Sequence, residues 1–364
     1  MPLPTSMSAM VLTGHGGLDK LMWRDDIATP QAGPNEVLIR VLAASVNNTD
    51  INTRTGWYSA KPSTNVSTAS TNASTTQPAQ SASAVGTGWS GAALAFPLIQ
   101  GADCCGEIVQ VGAGVSPSRV GERVMVRALQ APPSTDNSGA HTVTFGTDYD
   151  GAFAQYSTCT SHNAIAVHST LSAVELASFP CAFSTAEGMI QRANLGAERV
   201  LITGASGGVG SAAVQLCKRR GAHVTAITTS DKAQHLKDLG ANTTLDRDQA
   251  LESQHYDVVL DVVGGPRWAH YIDALRTGGR YTVAGAVAGP LVELDLRILY
   301  LRNLSFLGCT AQPQHIFTDL VSYIEANEIV PTLAQTFPLH QLRDAQEAFL
   351  NKNFIGKIGI TVAL

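Results

Sequence analysis

The stretch VLITGASGGVGSAAVQLCKRRGAHVTAIT, residues 200–228, constrains the fold more than any other part of the chain. An apolar run leads into a glycine-rich turn, and an amphipathic segment leads into a second apolar run. This order predicts a strand, a tight turn, a helix from Ser211 to Arg220 and a second strand. Ala213, Val214, Leu216 and Cys217 would form the buried side of that helix. Gly221 would end it.

Glycines at 204, 207, 208 and 210 let a backbone turn sharply and approach a ligand closely. Free amide groups at a helix N-terminus attract phosphate. The turn departs from the usual G-x-G-x-x-G pattern because Ala205 stands at the first glycine position. We still expect a dinucleotide here, since a strand precedes the turn and a helix follows it. The residues predicted to bind its pyrophosphate are Ser206, Gly207, Gly208 and Val209.

The end of the second strand bears on which dinucleotide binds. NAD sites usually carry a carboxylate there for the ribose 2′-hydroxyl. This chain instead has Thr228 and Thr229, with Lys232 shortly after. Hydroxyl groups and a lysine tolerate a 2′-phosphate, which a carboxylate would repel, so we expect NADP(H). The alternative is that Lys232 is only a solvated residue of the next helix.

With 364 residues, 44% of them hydrophobic, the chain can form two domains. Its first half reads as mostly β, whereas strands and helices alternate from about residue 170. The sequence therefore predicts the α/β class: a doubly wound parallel sheet and a mostly-β domain. We expect domains at 1–169 and 170–310, with 311–364 returning to the first. The β-rich runs of the first half are 36–46, 106–115, 121–129 and 151–159, and the strands of the second are 200–203, 223–228, 257–263 and 280–285.

Residues 59–91 are mostly Ser, Thr, Ala, Asn and Gln, a composition with too little apolar surface to offset the entropy cost of ordering. We interpret them as a mobile surface insertion, with a lid over a pocket as the alternative. Trp57 and Trp89 lie at its two ends. They would form an apolar wall for the substrate or pin the ends of the loop.

A net charge of −5 without a basic block argues against nucleic acid as a partner. No apolar run reaches membrane-spanning length, and the N-terminus lacks the pattern of a signal peptide. The six cysteines include no C-x-x-C pair. Reduced thiols in the cytoplasm are the simplest interpretation, so we expect a cytoplasmic protein.

Several ordered segments resemble the medium-chain dehydrogenase/reductase superfamily, and in particular its zinc-independent quinone oxidoreductase-like branch. They include SVNNTDINTRTGWY (45–58), GADCCGEIVQVGAGV (101–115), ASGGVG (205–210) and GKIGITV (356–362). The resemblance covers nearly the whole chain. It implies a GroES-like β domain beside a Rossmann domain, with the active site in the cleft between them, and a homodimer.

Zinc alcohol dehydrogenases of that superfamily supply a Cys, a His followed by Glu, and a second Cys to the catalytic metal. Here these positions match Asn47, Ala102-Asp103 and Cys181, so only the last ligand is retained. A catalytic zinc needs three protein ligands and an open position. His141, His162 and His168 have no metal-ligand spacing to a cysteine or carboxylate. We therefore expect no metal, and we expect Cys104 and Cys105 to be small buried residues.

Without a metal, the easier chemistry is hydride transfer to a conjugated acceptor, because conjugation spreads the developing negative charge. Such an enzyme needs hydrogen-bond donors near the carbonyl oxygen. The resemblance places Asn47 and Asp50 beside the nicotinamide and directs Tyr58 toward the substrate. We expect Tyr58 or Asn47 to polarise the carbonyl and Asp50 to orient its neighbours. Alternatively, Asn47 satisfies loop backbone groups, Asp50 caps a short helix and Tyr58 only packs.

Other cofactor contacts are expected where further strands of the second domain end. Val263, between Val262 and Gly264, would face the adenosine or its ribose. By resemblance, Gly285, Ala286, Leu307 and Cys309 lie near the nicotinamide and its ribose.

The sequence therefore predicts an NADPH-dependent, zinc-independent reductase acting on a quinone or an α,β-unsaturated carbonyl. The alternatives are an oxidoreductase of enoyl thioesters, alcohols or aldehydes, and a non-catalytic NADPH-binding sensor.

Overall fold

The computed structural model describes residues 3–59, 93–130, 142–310 and 312–363. The predicted insertion at 59–91 lies almost entirely outside these ranges, and so do Trp89 and His141. Within the described ranges, the strands are β1 (Ser6–Leu12), β2 (Leu21–Ala28), β3 (Glu36–Val46), β4 (Leu98–Ile99), β5 (Asp103–Val111), β6 (Arg123–Val126), β7 (Leu129–Gln130), β8 (Val143–Thr144), β9 (Tyr156–Thr160), β10 (Ala164–Ala166), β11 (Arg199–Ile202), β12 (His223–Ile227), β13 (Thr243–Leu245), β14 (Tyr256–Asp261), β15 (Leu275–Val283), β16 (Ser305–Gly308), β17 (Leu333–Pro338) and β18 (Lys357–Thr361). The helices are α1 (Asn48–Thr55), α2 (Ala173–Leu176), α3 (Pro180–Arg192), α4 (Gly208–Arg219), α5 (Ala233–Leu239), α6 (Trp268–Asp273), α7 (Leu296–Leu301), α8 (Gln314–Glu325) and α9 (Leu342–Asn351).

The second half of the chain forms a parallel sheet in the order β13-β12-β11-β14-β15-β16. Helices join β11 to β12, β12 to β13, β14 to β15 and β15 to β16, and the carboxyl ends of the parallel strands meet at one edge of the sheet. The predicted doubly wound Rossmann sheet is therefore confirmed. Some boundaries differed from the prediction: β15 begins at Leu275 rather than at residue 280, and β14 and β15 end at Asp261 and Val283, each two residues before the predicted end.

Helix α4 confirms the predicted buried side, because Ala213, Val214, Leu216 and Cys217 are at most 1% exposed. It begins at Gly208, three residues before the predicted start at Ser211, since the last glycines of the turn already form its first turn. Gly221 follows with a φ of +75°, which glycine adopts without strain.

The first half forms the mostly-β part, as predicted. Its main sheet has the order β10-β6-β5-β3-β18-β17, with β9 also paired to β3, and a smaller sheet has the order β2-β1-β4. The C-terminal strand β18 pairs antiparallel with β3 and so lies in the sheet of the first half. The exact domain boundaries stay predictions.

Two large buried clusters hold these layers together. One lies around β3, β5 and β18, and the other packs α3, α4 and α8 against the parallel sheet. Cys104 and Cys105 are 0% exposed and confirm their prediction as buried residues. In the described part of the chain, no helix has both the length and the apolar character needed to cross a bilayer.

Candidate active site

Asp50 lies in the first turn of α1, where its side chain is fully buried. Its carboxylate accepts the backbone N–H of Asn47 at 2.7 Å and that of Ala102 at 3.3 Å. Burial raises the pKa of Asp50 to about 7 despite these bonds. The carboxylate closes a capping box with Asn47 at the start of α1, as in the alternative in which Asp50 caps a short helix, and it also ties that start to the chain before β5.

Tyr58 follows α1 in a short 3-10 turn, Trp57–Ser59. Its hydroxyl donates to Thr49 Oγ1 and accepts from Asn52 Nδ2, both at 3.3 Å. Burial raises the pKa of the hydroxyl, so it keeps its proton at neutral pH. Its single proton is donated to Thr49 in this structure, so the hydroxyl would have to turn away from Thr49 to donate a hydrogen bond to a carbonyl oxygen.

Asn47 is 6% exposed and belongs to a buried polar cluster. Its Nδ2 donates to Asp103 Oδ2 at 2.8 Å and to the Ser45 carbonyl at 3.4 Å. Its Oδ1 accepts a hydrogen bond from the ammonium group of Lys357. Both ends of the amide are thus engaged within the protein, which favours the alternative in which Asn47 satisfies local groups.

Lys357 is the functional candidate that sequence reasoning missed. Its Nζ lies 2.9 Å from Asp103 Oδ2 and 3.1 Å from the Val46 carbonyl oxygen, in addition to its bond to Asn47. The side chains of Lys357 and Asp103 are 3% and 0% exposed. The one available signal was a lysine opening the apolar run KIGITV, because a buried lysine requires a partner.

These residues do not fit a catalytic zinc. Where the resemblance would place metal ligands, Asn47 and Asp103 bind the Lys357 ammonium, and Asp103 Oδ1 accepts the backbone N–H of Cys181 at 2.7 Å. Throughout the described ranges, no three His, Cys, Asp or Glu side chains form a set that could hold a metal ion.

The predicted pyrophosphate turn connects β11 to α4. A Cβ at Gly210 would lie 2.2 Å from the Gly204 carbonyl oxygen, so the turn is as tight as the glycine pattern indicated. Gly207 is the N-cap of α4, and Gly208 and Val209 form its first turn. Amides at a helix N-terminus beside a close-packed turn suit a pyrophosphate.

At the end of β12, Thr228 is 2% exposed, and its Oγ1 has no hydrogen-bond partner in the described part of the chain. Thr229 precedes the 3-10 turn Ser230–Lys232. Lys232 is 8% exposed, and its Nζ donates to the carbonyls of Lys352 and Phe354 at 2.9 and 3.0 Å. The alternative of a freely solvated Lys232 is therefore wrong.

The remaining predicted cofactor residues lie at the same edge of the parallel sheet. Val263 donates its N–H to Asp261 Oδ1 at 2.8 Å, just after β14. Gly285 and Ala286 follow β15, and a Cβ at Gly285 would lie 3.0 Å from the Val262 carbonyl oxygen. Leu307 is the last residue but one of β16. Cys309 follows that strand and donates its N–H to the Val283 carbonyl oxygen at 2.9 Å.

The two halves of the site meet at the start of β18. The Gly356 N–H donates to the Ser206 carbonyl at 2.8 Å. A Cβ at Gly208 would lie 2.8 Å from Cδ of Lys357. The start of β18, which carries the buried Lys357, therefore contacts the predicted pyrophosphate turn directly.

Comparison with known families adds two matches. Residues 33–169 match the model described as alcohol dehydrogenase GroES-like domain. Residues 208–326 match the model described as zinc-binding dehydrogenase. Together they cover most of the chain, in the order that the fold shows.

A crystal structure of an alcohol dehydrogenase candidate from Sinorhizobium meliloti 1021 is 39% identical, with a TM-score of 0.89, covering 99% of this chain and 98% of that one. Acryloyl-coenzyme A reductase of Sulfurisphaera tokodaii is 26% identical over 97% of this chain and 99% of its own length. The chloroplastic NADPH-dependent alkenal/one oxidoreductase of Arabidopsis thaliana is 24% identical over 98% of this chain and 80% of its own length.

Proposed function

From the premise that this chain belongs to the medium-chain dehydrogenase/reductase superfamily and is an oxidoreductase with a nicotinamide cofactor, we propose an NADPH-dependent, zinc-independent reductase. It transfers hydride to a quinone or an α,β-unsaturated carbonyl. One observation carries this proposal: Asn47 and Asp103 bind the ammonium of Lys357 rather than forming a metal-ligand set. The site then offers hydrogen bonds alone, which suffice for a conjugated acceptor.

When bound, the reduced nicotinamide supplies the hydride. The residues that would hold it are the turn around Ser206–Val209, Thr228, Val263 and the chain after β15 and β16. Two observations support this assignment. The buried hydroxyl of Thr228 has no hydrogen-bond partner in the described part of the chain, and the turn before α4 is tightly packed around Gly210. The preference for NADPH is supported by the two threonines after β12 and by the positive charge of Lys232. Asp231 in the same turn bonds to Thr229 and works against that preference.

Tyr58 is the residue we assign to the carbonyl oxygen. Its hydroxyl is protonated at neutral pH, and Thr49 and Asn52 hold it in place. Asp50 fixes the helix that carries these neighbours, and Asn47 links that helix to Asp103. Hydrogen bonding to the carbonyl oxygen stabilises the charge that develops as the β-carbon accepts hydride.

The test is a substrate panel with NADPH and with NADH, using protein whose metal content has been measured. We expect NADPH oxidation with enones or quinones and little turnover of simple alkanols. Enoyl-coenzyme A thioesters belong in the panel, because the acryloyl-coenzyme A reductase similarity favours them as a second candidate. Turnover of alkanols that requires bound zinc would contradict the proposal.

We also propose a homodimer formed through the β16 edge of the parallel sheet. Leu291, Leu296, Tyr300 and Leu301, in and before α7, are 62–69% exposed. These apolar side chains immediately precede β16, which ends the described sheet. A second copy of this chain would cover both the apolar surface and the strand edge. Sedimentation of Leu301→Glu tests this. A dimer that persists unchanged would contradict this interface.

Cytoplasmic location remains part of the proposal. Its support is the state of the six cysteines, none of which forms a disulfide.

A further inference from the structure

The ammonium of Lys357 is bonded like a bound cation. Its three acceptors are the carboxylate of Asp103, the amide oxygen of Asn47 and the carbonyl oxygen of Val46. A lysine with three donors is thereby satisfied in a site that is 3% exposed. An ion pair buried this deeply requires such complete hydrogen bonding, because both charges have lost their water.

The carboxylate of Asp103 is equally occupied. Its Oδ1 accepts the Cys181 N–H, and its Oδ2 accepts Asn47 Nδ2 and the hydroxyl of Ser45 as well as Lys357. Four segments distant in sequence therefore converge on one ion pair: the end of β3, the start of β5, the start of α3 and the start of β18.

The same lysine reaches the cofactor side. Its Cδ packs against Gly208 in the first turn of α4, and the preceding Gly356 bonds to Ser206 in the turn. On the other side, its contact with Asn47 bears on the start of α1, the helix that leads to Tyr58. Lys357 thus contacts the turn assigned to the pyrophosphate. It also contacts Asn47, which begins the segment 47–58 that ends at Tyr58 and is called the catalytic segment below.

We propose that Lys357 is a positioning residue: a built-in cation that takes the place of a metal ion and holds the catalytic segment in register with the cofactor turn. This inference rests on the proposed function for its turnover assay, but not for its cofactor-binding and metal assays. Zinc chemistry and an internal ammonium are mutually exclusive at Asn47 and Asp103, since the same oxygen atoms would serve both.

The decisive comparison uses four variants. Lys357→Met removes the ammonium that balances the buried charge of Asp103, so the variant is expected to unfold at lower temperature. Lys357→Arg keeps the charge. The double variant Lys357→Met/Asp103→Asn removes both charges together, which should restore much of the stability. Lys237→Met, on the exposed side of α5, is the matched control for loss of a lysine.

The measurements are the melting temperature, the NADPH dissociation constant by fluorescence titration, and separate kcat and KM values for an enone. Displacing a catalytic group or the bound substrate by about 1 Å can lower turnover about 10²-fold. We therefore expect the double variant to melt near the wild type, yet to show at least about a tenfold lower kcat and weaker NADPH binding. Lys357→Arg should recover part of that loss, and Lys237→Met should behave as the wild type.

Wild-type kcat and NADPH affinity in the folded double variant would overturn the positioning role and leave only a structural one. The proposal that Lys357 takes the place of a metal ion would be overturned if the wild-type protein lost activity on dialysis against a chelator and regained it with zinc. If the wild type reduces no conjugated acceptor, the proposed function fails, whereas the NADPH titration still decides the role of Lys357.

Discussion

A methyl group at Gly210 has no room in this structure. Its Cβ would lie 2.2 Å from the Gly204 carbonyl oxygen and 2.5 Å from Cα of Ala205. Both are backbone atoms of the turn that we assign to the pyrophosphate, so neither yields as a flexible side chain would. At Gly207, three residues earlier, the nearest atom would be 3.4 Å away and φ is −77°. Gly210→Ala and Gly207→Ala are therefore a matched pair within one turn.

The expected loss at Gly210 follows from two opposing effects. Alanine is favoured over glycine inside a helix by about 1 kcal/mol. Overpacking a rigid site costs about 1–3 kcal/mol, and a contact more than an ångström inside van der Waals distance lies at the upper end. The net destabilisation of Gly210→Ala is then about 2 kcal/mol. For domains of 150–250 residues this corresponds to a Tm lower by about 4–8 °C.

Thermal unfolding and NADPH titration separate the two variants. Gly210→Ala should lower both the Tm and the NADPH affinity, because the turn itself must shift. Gly207→Ala should keep the wild-type Tm while NADPH binds at least about tenfold more weakly, since a new methyl group stands where the phosphate approaches the N-cap. A Gly210→Ala protein with wild-type Tm and affinity would refute the reasoning. Equal loss of Tm in both variants would refute the contrast between them.

Three further predictions concern the catalytic segment and cofactor choice. Burial raises the pKa of Asp50 from 3.8 to about 7, so between those values the folded state keeps a proton that the unfolded state releases. The free energy of unfolding therefore falls as pH rises through that window. Urea unfolding at pH about 5 and about 8 should show a smaller fall in this free energy for Asp50→Asn than for the wild type. Tyr58→Phe should lower kcat about 10²-fold on the best conjugated substrate without changing the NADPH dissociation constant, and undiminished turnover would remove the donor assignment. Thr229→Asp should move the ratio of NADPH to NADH affinity about tenfold toward NADH, because a carboxylate repels the 2′-phosphate. An unchanged ratio would place the 2′-phosphate elsewhere.

Local pattern was enough for the parallel sheet. The apolar runs at 200–203 and 223–228 became β11 and β12 with ends within one residue, because strand character there comes from the run itself. The start of α4 was misjudged for a physical reason: glycine is a poor helix former, so Gly208–Gly210 read as turn. They nonetheless form the first turn of α4, where Ala205 and Lys357 approach so closely that a side chain at position 210 or 208 would collide with them.

The shared position of the predicted cofactor residues was likewise accessible from sequence, since the carboxyl ends of parallel strands lie at one edge by geometry. Side-chain partners were not accessible. Nothing near Lys232 in sequence indicates that its ammonium bonds to the carbonyls of Lys352 and Phe354, 120 and 122 positions away. Tertiary contacts of this kind depend on how the C-terminal chain returns, which the local pattern does not specify.

The buried ion pair shows where such information could come from. Ser45 in β3 pairs with Asp103 in β5 and also with Gly359 in β18, so knowledge of the strand order alone would place Lys357 two strands from Asp103. An apolar strand that begins with lysine and another that begins with aspartate each carry a charge that burial would strongly disfavour alone. When such strands flank a common neighbour, the two charges can compensate each other only by bonding across it. The pairing of lone charges in apolar strands is thus a constraint on strand order, and here it also identifies the residue that occupies the metal position.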